Sequence, residues 1–223
     1  MYTTVIASLV GEPMLAEAVA SIASQSLPSE RVLVVCDAGP PLPAGWTDAI
    51  RLIHPAVEFH RNDEHGMVPA INLGIELTTT QYVAFLDADD LWQPRKQERQ
   101  LALLAQRPEV DAATCMAMNF RIDDGGRRAF QVAAPANMFT CTTFRRDVFR
   151  RFGGLDPACT HFTWLYRWWG DARQRGIRTE SVDYVGLHRR LHEANSWSIH
   201  RETAHRDLLG ELRHRVHSAR SVS

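Results

Sequence analysis

The sequence predicts a three-layer α/β/α domain with a mainly parallel central sheet. Over residues 3–108, short apolar runs typical of buried strands alternate with amphipathic segments typical of helices, and the connections are short. No apolar run approaches the ~18 residues of a membrane-spanning helix. The length of 223 residues, with 45% hydrophobic content, suits one globular domain.

Residues 3–108 divide into four predicted strands and three predicted helices. The strands are Thr3–Leu9, Arg31–Asp37, Val57–His60 and Gln81–Leu86. Two of them, with the sequences RVLVVCD and QYVAFL, are continuously apolar, as expected for strands buried on both faces. The helices follow Pro13, span Met67–Glu76, and run from Pro94 to just before Pro108.

The second half of the chain has a different pattern. Asp111–Phe120 and Phe130–Ala133 flank the turn sequence DDGG and predict a hairpin. Helices are predicted at Arg145–Phe152 and Phe162–Arg175, followed by a strand at Arg178–Leu187. The second of these helices has one predicted apolar face, formed by Phe162, Leu165, Tyr166 and Trp169. Its aromatic rings either pack in the core or stack against an acceptor sugar.

Charge is unevenly distributed along the chain. Residues 1–110 carry 7 Lys and Arg against 14 Asp and Glu, residues 111–223 carry 18 against 12, and the whole chain has a net charge of −1. Such surfaces are either simply solvated or line a cleft in which acidic groups hold a cation and arginines meet a polyanion. A neutral domain without a base-reading motif is not expected to bind nucleic acid.

The cysteines and the first residues indicate a cytoplasmic location. Cys36, Cys115, Cys141 and Cys159 are far apart and have no zinc-binding spacing, so we expect reduced and mostly buried thiols. The first residues lack the basic region and the small-residue cleavage site of a signal peptide. We therefore expect no secretion through a cleaved leader.

The strongest local signal is an acidic turn directly after the strand QYVAFL. Asp87, Asp89 and Asp90 follow the carboxyl end of this buried strand, where open α/β sheets bind ligands. Carboxylates this close repel one another unless a cation or another partner neutralises them. A divalent cation meets that need and can bridge to a diphosphate. The alternative is an acidic turn that caps the next helix, with Asp90 as its N-cap.

Five further segments accompany this turn. They are VVCDAG at 34–39, Gly66-x5-Asn72-x-Gly74, FxxFGGLD at 149–156, WLYR at 164–167 and RRLHxxNS at 189–196. In order and spacing, the set resembles the family 2 glycosyltransferases, which have the GT-A fold. The resemblance implies a GT-A domain over residues 1–197, with 1–110 as its nucleotide-binding half and 111–197 as its acceptor-side half. Residues 198–223 then form a C-terminal amphipathic helix.

The resemblance also implies roles for individual residues. The nucleotide-sugar-binding set would be Asp37, Gly66, Asp87, Asp89, Arg190 and His192. Asp37 would bind the nucleotide base, and Gly66 would let the backbone approach the nucleotide. Asp89 would be the direct ligand of Mg²⁺ or Mn²⁺, with Asp87 near the metal and His192 reaching the metal or diphosphate. The alternatives are a turn residue at Asp37, a helix-start glycine at Gly66 and a surface histidine at His192.

The implied activity is metal-dependent transfer of a sugar, with inversion, from a nucleotide-diphosphate donor to an acceptor hydroxyl. A UDP-sugar is the first expectation for the donor, with GDP and dTDP as alternatives, and the acceptor is unknown. The amphipathic tail over about residues 199–220 packs on the domain, meets a second subunit in a homodimer, or lies on the inner face of an anionic membrane.

One departure from the family pattern concerns the general base. The family usually carries Glu-Asp shortly before the tryptophan that corresponds to Trp164, but residues 158–163 read ACTHFT and hold no carboxylate. His161 stands at the position of the Asp, and an imidazole can accept a proton near neutral pH. The alternatives are a base at Asp156, Asp171 or Glu193, a retaining mechanism, or a degenerate relative that binds a nucleotide sugar or a partner without transfer.

Overall fold

The computed structural model describes residues 1–159 and 163–193 of the chain. In the first half, strands β1 to β5 span Tyr2–Ser8, Arg31–Cys36, Val57–Arg61, Tyr82–Phe85 and Leu91–Trp92. Helices α1 to α4 span Leu15–Ala23, Ala44–Ile53, Met67–Leu77 and Lys96–Gln106. All four predicted strands and all three predicted helices of this half are confirmed within a few residues, whereas α2 and β5 were not predicted.

The second half is built mainly from strands. Strands β6 to β10 span Ala112–Ile122, Arg128–Phe130, Ala134–Pro135, Thr143–Arg145 and Thr179–Arg190. Helices α5 and α6 span Asp147–Phe152 and Thr163–Gln174, and a short 3-10 helix covers Phe139–Cys141. The predicted hairpin is confirmed, because β6 and β7 pair antiparallel around the DDGG turn. The predicted tail helix lies outside the described residues.

The described strands form one mixed sheet in the order β3-β2-β1-β4-β9-β6-β10-β5. β1, β2, β3 and β4 are mutually parallel, and so are β6 and β10. β9 runs antiparallel to both β4 and β6, so these two strands point the same way. The carboxyl ends of β1, β2, β4, β6 and β10 therefore share one edge of the sheet, which is where ligands bind in such folds.

Helices cover both faces of the sheet, which confirms the three-layer architecture. One core packs α1, α2 and α4 on the sheet through residues such as Leu15, Ile50 and Leu104. The other core lies beneath α3, α5 and α6 and is rich in aromatic rings. In it, the Phe139 and Trp168 ring centroids lie 5.0 Å apart in an edge-to-face arrangement, a geometry that adds about 0.5–1.5 kcal/mol to area burial.

Two details of the second-half prediction were wrong. Arg145 belongs to β9 and not to the following helix, because its Nε donates to the Val110 carbonyl and its N–H to that of Asp111. The predicted apolar face of α6 is also displaced, since Tyr166 is 46% exposed. Three tryptophans set the buried face instead, namely Trp164, Trp168 and Trp169.

α3 joins the two halves of the domain. Gly74 lets this helix approach β1, because a Cβ at this position would lie 2.3 Å from Val5 Cγ1. Two residues earlier, the Asn72 amide accepts a hydrogen bond from the Leu155 N–H and donates one to the Leu155 carbonyl, both at 2.8 Å. Gly154 leaves room for that amide, since a Cβ there would lie 2.9 Å from Asn72 Oδ1. These motif residues therefore hold the fold together.

Candidate functional site

Three carboxylates meet at the carboxyl end of β4. Asp87, Asp89 and Asp90 each offer one oxygen, and these oxygens lie within 4.8 Å of one another. The Asp90 N–H donates to the Asp87 carbonyl at 3.1 Å and closes the turn. Asp87 is exposed, Asp89 is half-buried and Asp90 is buried, so the cluster presents two accessible carboxylates above a third that belongs to the fold.

The surroundings of the cluster raise the pKa values of Asp87 and Asp90. Desolvation raises the pKa of Asp87 to about 7, the charge of Asp89 adds to the rise, and Arg189 offsets part of it. The Asp87 side chain is open to water, and water reduces the effect of desolvation on its pKa. The repulsion from Asp89 raises the pKa of Asp87 in addition. Burial raises the pKa of Asp90 well above its ordinary value. A divalent cation would relieve this repulsion, as the sequence predicts.

The end of β10 holds the acidic turn in place. The Arg190 N–H donates to Asp90 Oδ1 at 2.8 Å, and its Nε donates to the Asp89 carbonyl at 2.9 Å. Its Nη2 donates to Glu17 Oε2 at 2.9 Å, and its guanidinium lies 5.1 Å from the Phe120 ring centroid. Arg190 is only 4% exposed, so its donors are directed at the protein.

His192 lies beside the cluster. Its Nε2 is 2.9 Å from Asp89 Oδ2. Two accessible carboxylates and one imidazole form a donor set of oxygen and nitrogen atoms that fits Mn²⁺ and also suits Mg²⁺ through its carboxylates. The residues that would hold such an ion are Asp89, Asp87 and His192.

Asp37 and Gly66 line a second corner of the same edge. Asp37 Oδ1 accepts the N–H groups of Ala38 and Gly66, both at 2.8 Å. Gly66 has φ +114°, a conformation that L side chains rarely adopt. A cavity of about 240 Å³ adjoins them, lined also by Leu9 and Met67. The two residues therefore act as a pair, with the glycine N–H orienting the carboxylate.

A smaller cavity of about 80 Å³ lies between this corner and the aromatic core. Its polar lining residues are Asp87, Thr140 and Arg189. It shares Ala7 and Met67 with the first cavity, so the two adjoin along the sheet edge. The sequence interpretation missed Thr140 and Arg189, and also Glu17 as the partner of Arg190. Extending the predicted strand beyond Leu187 would have placed the side chains of Arg189 and Arg190 on opposite faces.

Comparison with known proteins identifies the family. The model of "Glycosyl transferase family 2" matches residues 3–168. The chain belongs to this family. The amylovoran biosynthesis glycosyltransferase AmsE of Erwinia amylovora is 26% identical over 146 residues, 57% of this chain and 52% of that relative. This chain thus spans about half the length of that curated relative.

Solved structures confirm the GT-A fold of this family 2 member. S. aureus TarS 1–349 in complex with UDP-GlcNAc aligns with TM-score 0.67 and 14% identity, covering 88% of this chain and 60% of TarS 1–349. The mannosyltransferase PcManGT of Pyrobaculum calidifontis, in complex with GDP-Man and Mn²⁺, aligns with TM-score 0.64 and 20% identity, covering 87% of this chain and 58% of PcManGT. Among the described residues, no helix combines the length and apolar character needed to cross a bilayer.

The residues considered as a general base differ in their surroundings. His161 lies outside the described residues. The Asp156 carboxylate accepts hydrogen bonds from the Ala158 N–H and, at 2.7 Å, from Arg167 Nη1. These bonds lower the pKa of Asp156 and make it a weak proton acceptor. Asp171 lies about two helical turns beyond Trp164, which lines the small cavity.

Proposed function

We propose that this family 2 glycosyltransferase transfers a sugar from a nucleoside diphosphate to an acceptor hydroxyl, with Mn²⁺ or Mg²⁺ bound at Asp89 and Asp87. The observation that carries the proposal is the carboxylate cluster, which lies at the same sheet edge as the Asp37 corner. TarS structures hold UDP and UDP-GlcNAc, and PcManGT holds GDP-Man and Mn²⁺. We therefore place a UDP-sugar first among the donors.

Each residue of the site has a distinct task in this proposal. Asp37, oriented by the Gly66 N–H, accepts a hydrogen bond from the nucleotide base in the cavity of about 240 Å³ that both residues line. His192 holds Asp89 from the C-terminal side. When bound, the divalent cation supplies positive charge for the diphosphate of the leaving group. Arg190 keeps the acidic turn in its position through the Asp89 carbonyl and the Asp90 carboxylate.

His161 is the proposed general base. The acceptor hydroxyl attacks the anomeric carbon and gives its proton to the imidazole, while the bond from that carbon to the diphosphate oxygen breaks. The nucleoside diphosphate leaves with the bonding electron pair, and the anomeric configuration inverts. The absence of a carboxylate over residues 158–163 supports this assignment.

Calorimetry with UDP tests the binding half of the proposal. We expect UDP to bind more tightly in Mn²⁺ than in EDTA, and Asp89→Ala to remove this difference. Asp124→Asn, at an exposed aspartate of the β6–β7 turn, is the matched control and should retain the metal dependence. If Asp89→Ala binds UDP with unchanged metal dependence, Asp89 is not the metal ligand.

A second candidate function is binding of a nucleotide sugar or partner without transfer. The same observation favours it, because residues 158–163 hold no carboxylate. Release of free UDP from UDP-sugars, measured with a panel of hydroxyl acceptors, distinguishes the two. Metal-dependent binding with no release for any donor and acceptor pair supports the second candidate. Contact of residues 198–223 with a membrane or with a second subunit is proposed independently of the choice between these two functions.

A further inference from the structure

The last two residues of β10 have arginine side chains with different surroundings. Arg190 is buried, and its guanidinium is bonded to the Asp89 carbonyl and to Glu17. Arg189 is half-buried and lines the small cavity together with Asp87. Neighbouring strand residues point to opposite faces of a sheet. Only Arg189 therefore has its side chain on the cavity side of the strand.

Arg189 has no structural task comparable to those of Arg190 and Arg145. Arg190 and Arg145 direct their guanidinium donors at main-chain carbonyls. Among the described residues, Arg189 has no hydrogen-bond or ion-pair partner within the usual distances. A guanidinium has five N–H donors, and leaving them without partners in a protein cleft is costly. The Arg189 side chain is thus available to a ligand.

A second unpartnered group lines the same cavity. Thr140 is 5% exposed, and its Oγ1 has no hydrogen-bond partner among the described residues. Buried hydroxyls normally find a partner. The other lining residues are mostly apolar, for example Phe85, Met138 and Leu165. A cation and a hydroxyl that the fold does not use point to a polar ligand in this cavity.

The interaction between Arg189 and the carboxylate cluster depends on whether a cation is bound there. Without a cation, Arg189 is attracted to the Asp87 carboxylate, which lines the same cavity. A divalent cation offsets the charges of Asp87 and Asp89, so that Arg189 loses this attraction and is repelled by the cation itself. A diphosphate brings negative charge that both cations attract. Arg189 therefore weakens the binding of the metal alone and strengthens the binding of the metal together with the donor.

We propose that Arg189 binds the diphosphate of the donor and thereby couples divalent-cation binding to nucleotide binding. This inference rests on the proposed function, because it requires a nucleoside diphosphate at the carboxylate cluster. It assigns the cationic contact of the donor to Arg189 and leaves Arg190 as the positioning residue of the acidic turn. The coupling is reciprocal, so each ligand tightens the binding of the other.

Calorimetry on Arg189→Gln tests the inference through two effects of opposite sign. Removing the positive charge should tighten Mn²⁺ binding in the absence of nucleotide by roughly threefold or more. At saturating Mn²⁺, the same change should weaken UDP binding roughly 10- to 100-fold, the usual effect of losing a charge-assisted hydrogen bond. Uridine lacks phosphates, so its affinity should be equal for the two proteins.

Two matched variants complete the experiment. Arg189→Lys keeps the charge, so its Mn²⁺ affinity should equal that of the wild type while its UDP affinity falls in between. Arg121→Gln, at an exposed arginine of the neighbouring strand β6, should change neither affinity. Weakened binding of both Mn²⁺ and UDP by Arg189→Gln would mean a structural role and overturn the inference, as would unchanged UDP affinity.

The outcome is separable from that of the proposed function. If wild-type protein binds no UDP in Mn²⁺, the proposed function fails together with the diphosphate contact. The Mn²⁺ titrations still compare Arg189→Gln with wild type, and an unchanged Mn²⁺ affinity would independently refute the charge effect. Equal thermal unfolding midpoints for wild type, Arg189→Gln and Arg189→Lys verify that all three proteins are folded.

Discussion

The two halves of the domain form their parts of the site in different ways. In residues 1–110, functional side chains directly follow short parallel strands, with Asp37 after β2 and Asp87 after β4. In residues 111–193, they depend on the pairing of one long strand, β10, with β6. That pairing shifts register between Ser181 and Val185 and again before Leu187. A shift of one residue exchanges the two faces of a strand, so the face of Arg189 depends on irregularities that periodicity does not reveal.

The largest expected effect tests whether the second half supplies the base. His161→Ala should lower turnover by roughly two to four orders of magnitude, the usual contribution of general-base catalysis, and should leave UDP affinity nearly unchanged. Wild-type turnover should rise with pH through the ordinary histidine pKa of about 6.5, because only the neutral imidazole accepts a proton.

The measurement is donor turnover against pH for the wild type, His161→Ala and His161→Asp. The Asp variant should retain some activity, since it restores the residue usual in the family. Its activity should not rise over the same pH range, because an ordinary carboxylate is already ionised there. Wild-type rates from His161→Ala would exclude the histidine as base and leave Asp156, Asp171 and Glu193 to test.

The next effect concerns the contact that joins the halves. Asn72→Ala removes both hydrogen bonds to the Leu155 main chain and leaves the N–H and carbonyl of a buried residue without partners. We expect a loss of about 3 kcal/mol in the free energy of unfolding, measured by urea denaturation. Asn119→Ala removes an exposed amide contact with Gln131 and should cost less than about 0.5 kcal/mol. Equal losses for the two variants would contradict the joining role of Asn72.

A third effect lies in the first-half core, which contains the only lysine of the chain. Lys96 is fully buried, with Nζ 2.8 Å from Gln100 Oε1 and 4.2 Å from the Trp92 ring centroid. Burial lowers the pKa of Lys96 from 10.5 to about 8. Below pH 8, the lysine is charged in both the folded and the unfolded state, so the folded state carries the full cost of a buried ammonium.

Stability should therefore rise as the pH increases from about 8 to about 10.5. Over this range the folded protein releases the Lys96 proton while the unfolded chain keeps it, which stabilises the folded state by up to about 3 kcal/mol. Lys96→Met removes this contribution, and Gln100 Oε1 keeps a donor in Thr143. The difference in unfolding free energy between variant and wild type should shrink with rising pH, and parallel curves would contradict the lowered pKa.

Sequence reasoning succeeded where one periodicity governs a whole element. Continuous apolar runs located β2 and β4 and hence Asp37 and the acidic turn. It failed where tertiary contacts determine the structure. α2 follows a proline-rich stretch and buries only Thr47 and Ile50, so it has little apolar periodicity. In α6, three tryptophans pack into the same core and set a buried face that the apolar pattern did not indicate. Arg190 was predicted to bind the nucleotide sugar, whereas its guanidinium bonds to the Asp89 carbonyl and to Glu17. The bond to Glu17 requires α1 and β10 to meet, which no local pattern predicts.

The smallest expected effect tests how tightly the first half is packed. Gly74→Ala places a Cβ 2.3 Å from Val5 Cγ1 in the contact between α3 and β1, and such overpacking costs about 1–3 kcal/mol. Gly45→Ala is the matched control, because a Cβ in that helix meets nothing within 4 Å. It should stabilise the protein by about 0.5–1 kcal/mol through helix propensity.

A double variant shows whether the close approach to Val5 is the cause. Val5→Ala alone should destabilise the protein, since it empties part of a buried core position. Combined with Gly74→Ala it also removes the clash, so the double variant should lose less free energy of unfolding than the two single variants together. Strict additivity in urea denaturation would mean that α3 relaxes away from β1 without resistance. The contact between α3 and β1 would then adjust to an added methyl group more easily than the distance to Val5 indicates.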